Sequence, residues 1–312
     1  MNKKQTALVS VFIIIVFMTY IIYDIFISKD KVNNQPTESS RIADTTELKW
    51  QKTEKLQIQQ GKLKSITVTG DNKIITGGET FLVSYNNDLS LNWSVETPGI
   101  INCICSSGDT IFAATNEIIL LYNKDGEKIT EWGPYENNCI ITGISSNGFY
   151  LAFADAGNKM VFVLGNTGEL LYFFGNRGER FIIPSPYFDV TITPDNKIIV
   201  ANTGKRRIEF RTLEGEILNY FGEAGIAHGE FCGCCNPSHF VVLSDNRLAT
   251  SEKGLNRIKI YDFNGNFIEY VIRQDYFNTS TPLDIAADKE GRIYAANPED
   301  FCFYIFESNQ WK

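Results

Sequence analysis

The chain has 312 residues, with 37 acidic against 29 basic side chains and a formal net charge of -8. That length holds one full-cored domain or two ordinary ones. The acidic balance excludes the basic footprint with which proteins hold nucleic acid, and the aromatic side chains are spread along strand-like runs with no base-stacking platform. No nucleophile elbow, Walker loop or dinucleotide fingerprint is present; Gly77-Gly78, for instance, is read as lying in a strand turn and not before a helix.

In chain order, Met1-Asn2-Lys3-Lys4 leads into an apolar run from Ala7 to Ile27. About 20 such residues span a bilayer as a helix. The run is apolar on all sides, unlike an amphipathic core helix, and no small-residue cleavage site follows it around Phe26-Ile27-Ser28. Lys3, Lys4 and the free amine favour the inside, whereas Lys29, Asp30 and Lys31 nearly cancel, so the remainder lies outside the cytoplasm. The sequence thus predicts a signal-anchor transmembrane helix over 1–28 in the cytoplasmic (inner) membrane. The C-terminal domain then faces outward, into the periplasm of a Gram-negative cell. Residues 29–46 are polar and without aromatics, which makes them a flexible linker. The folded domain is expected over 47–312.

From residue 63 onward, short apolar or alternating runs recur with turn signals between them. The period is roughly 40 to 45 residues, the range of a propeller blade. The clearest unit runs from Phe188 through Thr193-Pro-Asp-Asn-Lys197, Arg207-Ile-Glu-Phe210 and Glu214-Gly-Glu-Ile217. It returns from His239 and from Asp284, and less closely from Ser65, Asn102 and Thr142, which makes six units. Asp125-Gly126 and Asn264-Gly265 are hairpin turns that match the twist of paired strands. The expected fold is all-β, a six-bladed β-propeller of four-stranded antiparallel blades. Two stacked sandwiches would require no repeated phrase. The last unit stops one strand short, at Phe306-Glu-Ser-Asn-Gln-Trp-Lys312, while Leu48 to Gln59 has an unassigned strand pattern. A propeller ring must close, so this N-terminal strand is expected to complete the last blade.

The run Phe221-Gly-Glu-Ala-Gly225-Ile-Ala-His-Gly229-Glu-Phe231 to Pro237 resembles the linking loop of NHL-repeat propellers, an FG..G..G.F..P phrase. Units four to six match that repeat well and units one to three loosely, over about four fifths of the chain. The Cys-Gly-Cys-Cys insertion departs from the ordinary loop and is similar to that of exported NHL-like proteins of bacteria. The resemblance implies a propeller from a family that includes binding scaffolds, RNA binders and a few enzymes.

That same loop holds the chain's two histidines and three of its seven cysteines, as His228-Gly-Glu-Phe-Cys232-Gly-Cys234-Cys235-Asn-Pro-Ser-His239. Cys232, Cys234, Cys235, His239 and His228 are candidate ligands for a divalent metal, though these donors do not distinguish zinc, iron, copper or calcium. A structural disulfide and a redox-active pair are the other two readings. Cys103 and Cys105 share a strand face, where neighbours rarely bridge, and Cys139 is placed near the channel mouth.

Aligning the units on their first turns puts Ser65, Asn102, Asp189, His239 and Asp284 near the starts of the innermost strands, with Thr142 the best match in the third unit, as a polar ring at the channel mouth. A second ring, Asp155, Asn202, Glu252 and Asn297, falls at the ends of second strands. NHL-type repeats use Asp at the first position to satisfy backbone donors, which offers a structural account of Asp189 and Asp284. Arg206, Arg207 and Arg257 read as solvated blade surface. The function expected is a binding or scaffold module with a protein partner in a membrane-associated assembly, its mouth site taking a metal or a redox partner. The alternative is a metal-dependent lyase or lactonase-type hydrolase using His239, Asp189 and Asp284.

Overall fold

The computed structural model describes residues 48–274, 276, 277 and 280–309, together with Gln5, Ile15, Val16, Met18 and Thr19. Those five isolated residues are helical, and the Thr19 hydroxyl donates to the Ile15 carbonyl at 2.7 Å. The remainder of the expected anchor over 1–28, and the linker over 29–46, lie outside the described residues. Among the described residues no helix is long and apolar enough to cross a membrane.

Residues 48–309 form six four-stranded antiparallel sheets, each ordered from an innermost to an outermost strand. Blades 1 to 5 span 63–96, 103–132, 141–174, 190–221 and 239–272, and blade 6 is built from 284–308 with an N-terminal strand. That strand, Trp50–Gln57, runs antiparallel to Cys302–Ser308, with Trp50 opposite Ser308 and Gln57 opposite Cys302. The expected closure is therefore present, and the edge that Cys302–Ser308 would otherwise expose is paired.

The core lies between neighbouring blades. Second and third strands such as Ile74–Gly78 and Phe81–Tyr85 are buried throughout, whereas outer strands such as Leu91–Glu96 face solvent. One apolar cluster joins Phe112 and Ile119 of blade 2 to Phe153 and Phe162 of blade 3; another joins Phe210 of blade 4 to Phe240 and Tyr261 of blade 5. Hairpin glycines serve this packing twice. Gly126 and Gly265 adopt φ of 84° and 86°, and a Cβ on either would stand 2.7 Å or less from Trp93 or Phe221 of the preceding blade. A side chain there would both strain the turn and push the blades apart.

Candidate functional site

The innermost strands of all six blades start at one face and line a central cavity of about 210 Å³. Ser65, Cys103, Cys105, Thr142, Asp189 and Asp284 contribute to its wall. Backbone pairing fixes which residues share a rung. Ser65 pairs with Gly77, His239 with Ser251 and Asp284 with Ala296, and the Ala201 amide donates to the Asp189 carbonyl. On that rung blade 2 carries Cys103, opposite Ala114, and blade 3 carries Gly143, opposite Ala154. Asn102 and Thr142 stand one residue earlier.

The one-residue offset follows from hairpin length. Blades 1, 4, 5 and 6 have five residues between their last paired positions, as in 193–197, but blade 2 turns through Gly108 and Asp109 alone and blade 3 through 147–150. Counting back from the turn therefore overshoots. Asn102 bonds sideways to Asn116 at 2.8 Å, and the Thr142 hydroxyl donates to the Phe188 carbonyl at 2.8 Å. Gly143 allows the Asp189 backbone to approach, since a Cβ there would lie 2.8 Å from the Asp189 Cα.

His239 sits between two carboxyl groups, its Nδ1 3.4 Å from Asp284 Oδ1 and 3.8 Å from Asp189 Oδ2. Each carboxyl group also ties two strand starts together. Asp189 accepts from the Val190 amide and, across the blade boundary, from the Phe240 amide at 3.0 Å. Asp284 accepts from the Ile285 amide, from the Ile66 amide of blade 1 at 2.9 Å and from the Ser65 hydroxyl at 2.7 Å. The backbone-satisfying role is thus real for both aspartates. His239 occupies the same rung in blade 5, where a carboxyl acceptor is replaced by an imidazole.

Burial, and then the neighbouring Asp284, push the Asp189 carboxyl up to about 8 from its ordinary 3.8. Burial pushes His239 below its ordinary 6.5, against the pull of Asp284. The two shifts act oppositely on stability. Native Asp189 keeps a proton that the unfolded chain has lost, so its contribution declines as pH rises from 3.8 to about 8. Native His239 binds fewer protons than the unfolded chain, so its contribution grows with pH up to 6.5. The net decline therefore concentrates between 6.5 and about 8, with a slope of up to about 1.4 kcal/mol per pH unit. Urea midpoints measured across that window are expected to fall in the wild type relative to Asp189→Asn; a wild-type midpoint that rises against the variant's there contradicts the assignment.

The second ring is wholly buried and holds loops. Asp155, Asn202 and Glu252 accept the amides of Ile140, Ile182 and Cys232, each in the loop that enters the same blade. Asn297 accepts the Glu299 amide. In blade 5 the ring member belongs to a buried ion cluster. Glu252 lies 2.6 Å from Arg257 Nε and 2.8 Å from Lys259 Nζ, and the two cations also donate to the Glu230 carbonyl. Arg257 is 4% exposed, so it is no solvated surface residue. Arg207, too, is mostly covered, paired with Glu209 at 2.7 Å and stacked 4.3 Å over Tyr220. Arg206 is half-buried and donates to the Gly233 carbonyl at 2.7 Å. The clusters had a sequence signal in hindsight: Glu209 and Lys259 interrupt apolar third strands that a four-stranded blade must bury, and a buried charge needs a counterion.

The five candidate metal ligands fall in four places. His228 packs on Phe267 and Tyr270, with ring centroids 5.6 and 5.7 Å away. Cys232 stands beside Glu252, whose charge adds to burial in pushing its thiol up. Cys234 and Cys235 have their sulfurs 3.1 Å apart, and Tyr187 lies between this pair and His239, edge-on to the imidazole at 6.0 Å. Among the described residues no group of three or more His, Cys, Asp or Glu is placed to hold a metal ion. The donors as arranged do not fit a tetrahedral centre. All seven cysteines are free thiols, and Cys103, Cys105 and Cys139 share one apolar cluster between blades 2 and 3.

The class this architecture defines is the six-bladed β-propeller, a fold suited to a binding or scaffold module. No known family model matches the chain, and no curated protein matches it. Solved propellers do. The WD40 β-propeller domain of Doa1 superposes with a TM-score of 0.58 at 11% identity, over 80% of this chain and 79% of that one. Streptogramin B lyase gives 0.56 at 14%, over 83% and 98%, and the Cps50 (Swd1) propeller domain of Myceliophteria thermophila gives 0.58 at 12%, over 82% and 99%. These likenesses carry the fold.

Proposed function

We propose that this chain is an NHL-like propeller, anchored in the cytoplasmic membrane through residues 1–28 and facing outward, that binds a protein partner on its channel-mouth face. One observation carries the choice of face. The mouth gathers sulfur, aromatic and cationic side chains: exposed Cys234 beside Cys235, Tyr187 with Lys253 5.0 Å over its ring, and His239 beneath. Aromatic and cationic groups at a rim are what protein interfaces use.

A photo-crosslinking residue placed at Tyr187 in the full chain, in intact cells, is expected to capture a discrete protein adduct. The control is Phe149, exposed in the hairpin at the far end of the blade 3 innermost strand, Ile141–Ser146. An adduct at both positions, or at neither, ends the proposal. Labelling of Cys234 by a membrane-impermeant maleimide in the same cells reports the outward orientation; protection until lysis overturns it.

A second reading is catalytic. His239 held 3.4 Å from Asp284 is an oriented imidazole, the arrangement of a general base, and one structural neighbour is a lyase. The prior engagement of Asp189 and Asp284 with backbone amides weighs against it. Lactone or phosphodiester turnover by the wild type that is lost in His239→Ala would favour catalysis over binding.

A further inference from the structure

The adjacent thiols of the mouth loop go beyond a passive rim. Cys234 is exposed and Cys235 is buried to 7%, with the sulfurs 3.1 Å apart. A disulfide needs them at about 2.05 Å, so roughly one ångström of approach joins them. Their backbone is held from both sides. The buried Asn236 amide donates to the carbonyls of Cys232 and Lys253 and accepts the Lys253 amide, while Arg206 grips the Gly233 carbonyl. Burial pushes the Cys235 thiol up and Cys234 adds to that, while Ser185 and Lys253 pull the other way.

The other five thiols are placed differently. Cys103, Cys105, Cys139 and Cys302 are buried, and burial pushes each of them up. Cys232 is pushed up by burial and then by Glu252. Reactive thiols are accessible and readily ionised, and inert ones are buried in apolar surroundings. Of the seven, Cys234 alone is exposed, and its sequence neighbour supplies the second sulfur.

We infer that Cys234 and Cys235 form a dithiol couple that exchanges with the disulfide of a partner protein. Cys234, as the thiolate, attacks one sulfur of the partner's disulfide; that bond breaks, and the leaving sulfur takes up a proton equal to the one Cys234 released. Cys235 then loses its proton and attacks the Cys234 sulfur, breaking the mixed disulfide and freeing the second partner sulfur, which is protonated in turn. Two electrons and two protons pass to the partner, which ends as a dithiol, and a Cys234–Cys235 disulfide remains. Ring closure between adjacent residues distorts the backbone, which keeps the couple reversible. The inference rests on the mouth face being the working surface, and is independent of whether the chain is an enzyme.

The test equilibrates the full chain, in detergent, across a series of oxidised and reduced dithiothreitol, quenches with iodoacetamide and maps the peptides. Oxidation is expected to remove the alkyl marks from Cys234 and Cys235 together, leave Cys232 marked, and reverse on reduction. Cys232→Ser is expected to retain the transition, and Cys234→Ser and Cys235→Ser each to lose it. A bond that includes Cys232, or marks on Cys234 and Cys235 that persist throughout, overturns the inference. Phenylarsine oxide, which bridges paired thiols, is a second probe: reduced, folded Cys232→Ser is expected to bind one per chain, and no binding overturns the inference as well. If the couple cycles while the Tyr187 cross-link fails, only the binding proposal falls; the converse removes only the exchange.

Discussion

Trp50→Ala is expected to lower the melting temperature by roughly 10 °C, because one side chain secures the closure of the ring. Trp50 is 4% exposed and packs with Ile258, Ile293 and Phe306, which belong to blades 5 and 6. Its indole nitrogen donates to Glu269 Oε1 at 3.0 Å, on the outer strand of blade 5, Phe267–Ile272. Truncating a buried Trp to Ala costs about 3–5 kcal/mol. At this size each kcal/mol moves the midpoint by about 2–4 °C. Glu54, on the same strand, is exposed, and Glu54→Ala is expected to change stability by no more than about 0.5 kcal/mol. Trp50→Phe should fall between the two, since it keeps much of the apolar area and loses the bond to Glu269. Thermal melts of the full chain followed by far-ultraviolet circular dichroism decide the matter. If Trp50→Ala and Glu54→Ala melt together, the N-terminal strand is not what closes the ring.

That closure was legible in the sequence as a deficit: a last unit one strand short and a spare strand pattern at the other end. The six blades were legible for a related reason, since turn residues recur at a near-constant spacing and each hairpin must be made locally. What the spacing could not carry was the rung. A two-residue hairpin at Gly108-Asp109 and a five-residue one at 193–197 both read as a turn between strands, yet they move the channel position from Asn102 to Cys103. Charge misled for another reason. Arg257 looks like blade surface until Glu252, just past the end of the second strand Leu248–Ser251, is seen beside it, because the counterion comes from another segment. Closeness in sequence also overstated the metal site. Within the twelve residues from His228 to His239, one imidazole is carried outward onto Phe267 and Tyr270 while the other reaches the channel mouth.

The second large effect is expected at Glu252, through the cations that it neutralises. Glu252 is fully buried, and so is Lys259, with Arg257 nearly so. Glu252→Gln leaves the two cations with the Glu230 carbonyl and no counter-charge, and breaking a buried pair from one side costs about 3–5 kcal/mol. Burial has already brought Lys259 down to about 8 from 10.5, in spite of Glu252. Without the carboxylate the ammonium is held less firmly, so Lys259 sheds its proton at a lower pH in the variant. The deficit should therefore be full while Lys259 is charged in both proteins, shrink as the variant's Lys259 sheds its proton below pH 8, and level off once wild-type Lys259 also titrates, near pH 8. Urea midpoints of the two proteins, followed from acid pH up to about 8, test the sign, and a deficit that widens with pH contradicts it. Adding Lys259→Met to Glu252→Gln should recover part of the loss, because an apolar side chain of similar length fills the same space without a charge to satisfy. The consequence reaches the mouth loop, since Glu252 also accepts the Cys232 amide at 3.3 Å. Faster alkylation of Cys232 in Glu252→Gln, restored little by Lys259→Met, would separate the loop-holding bond from the charge balance beneath it.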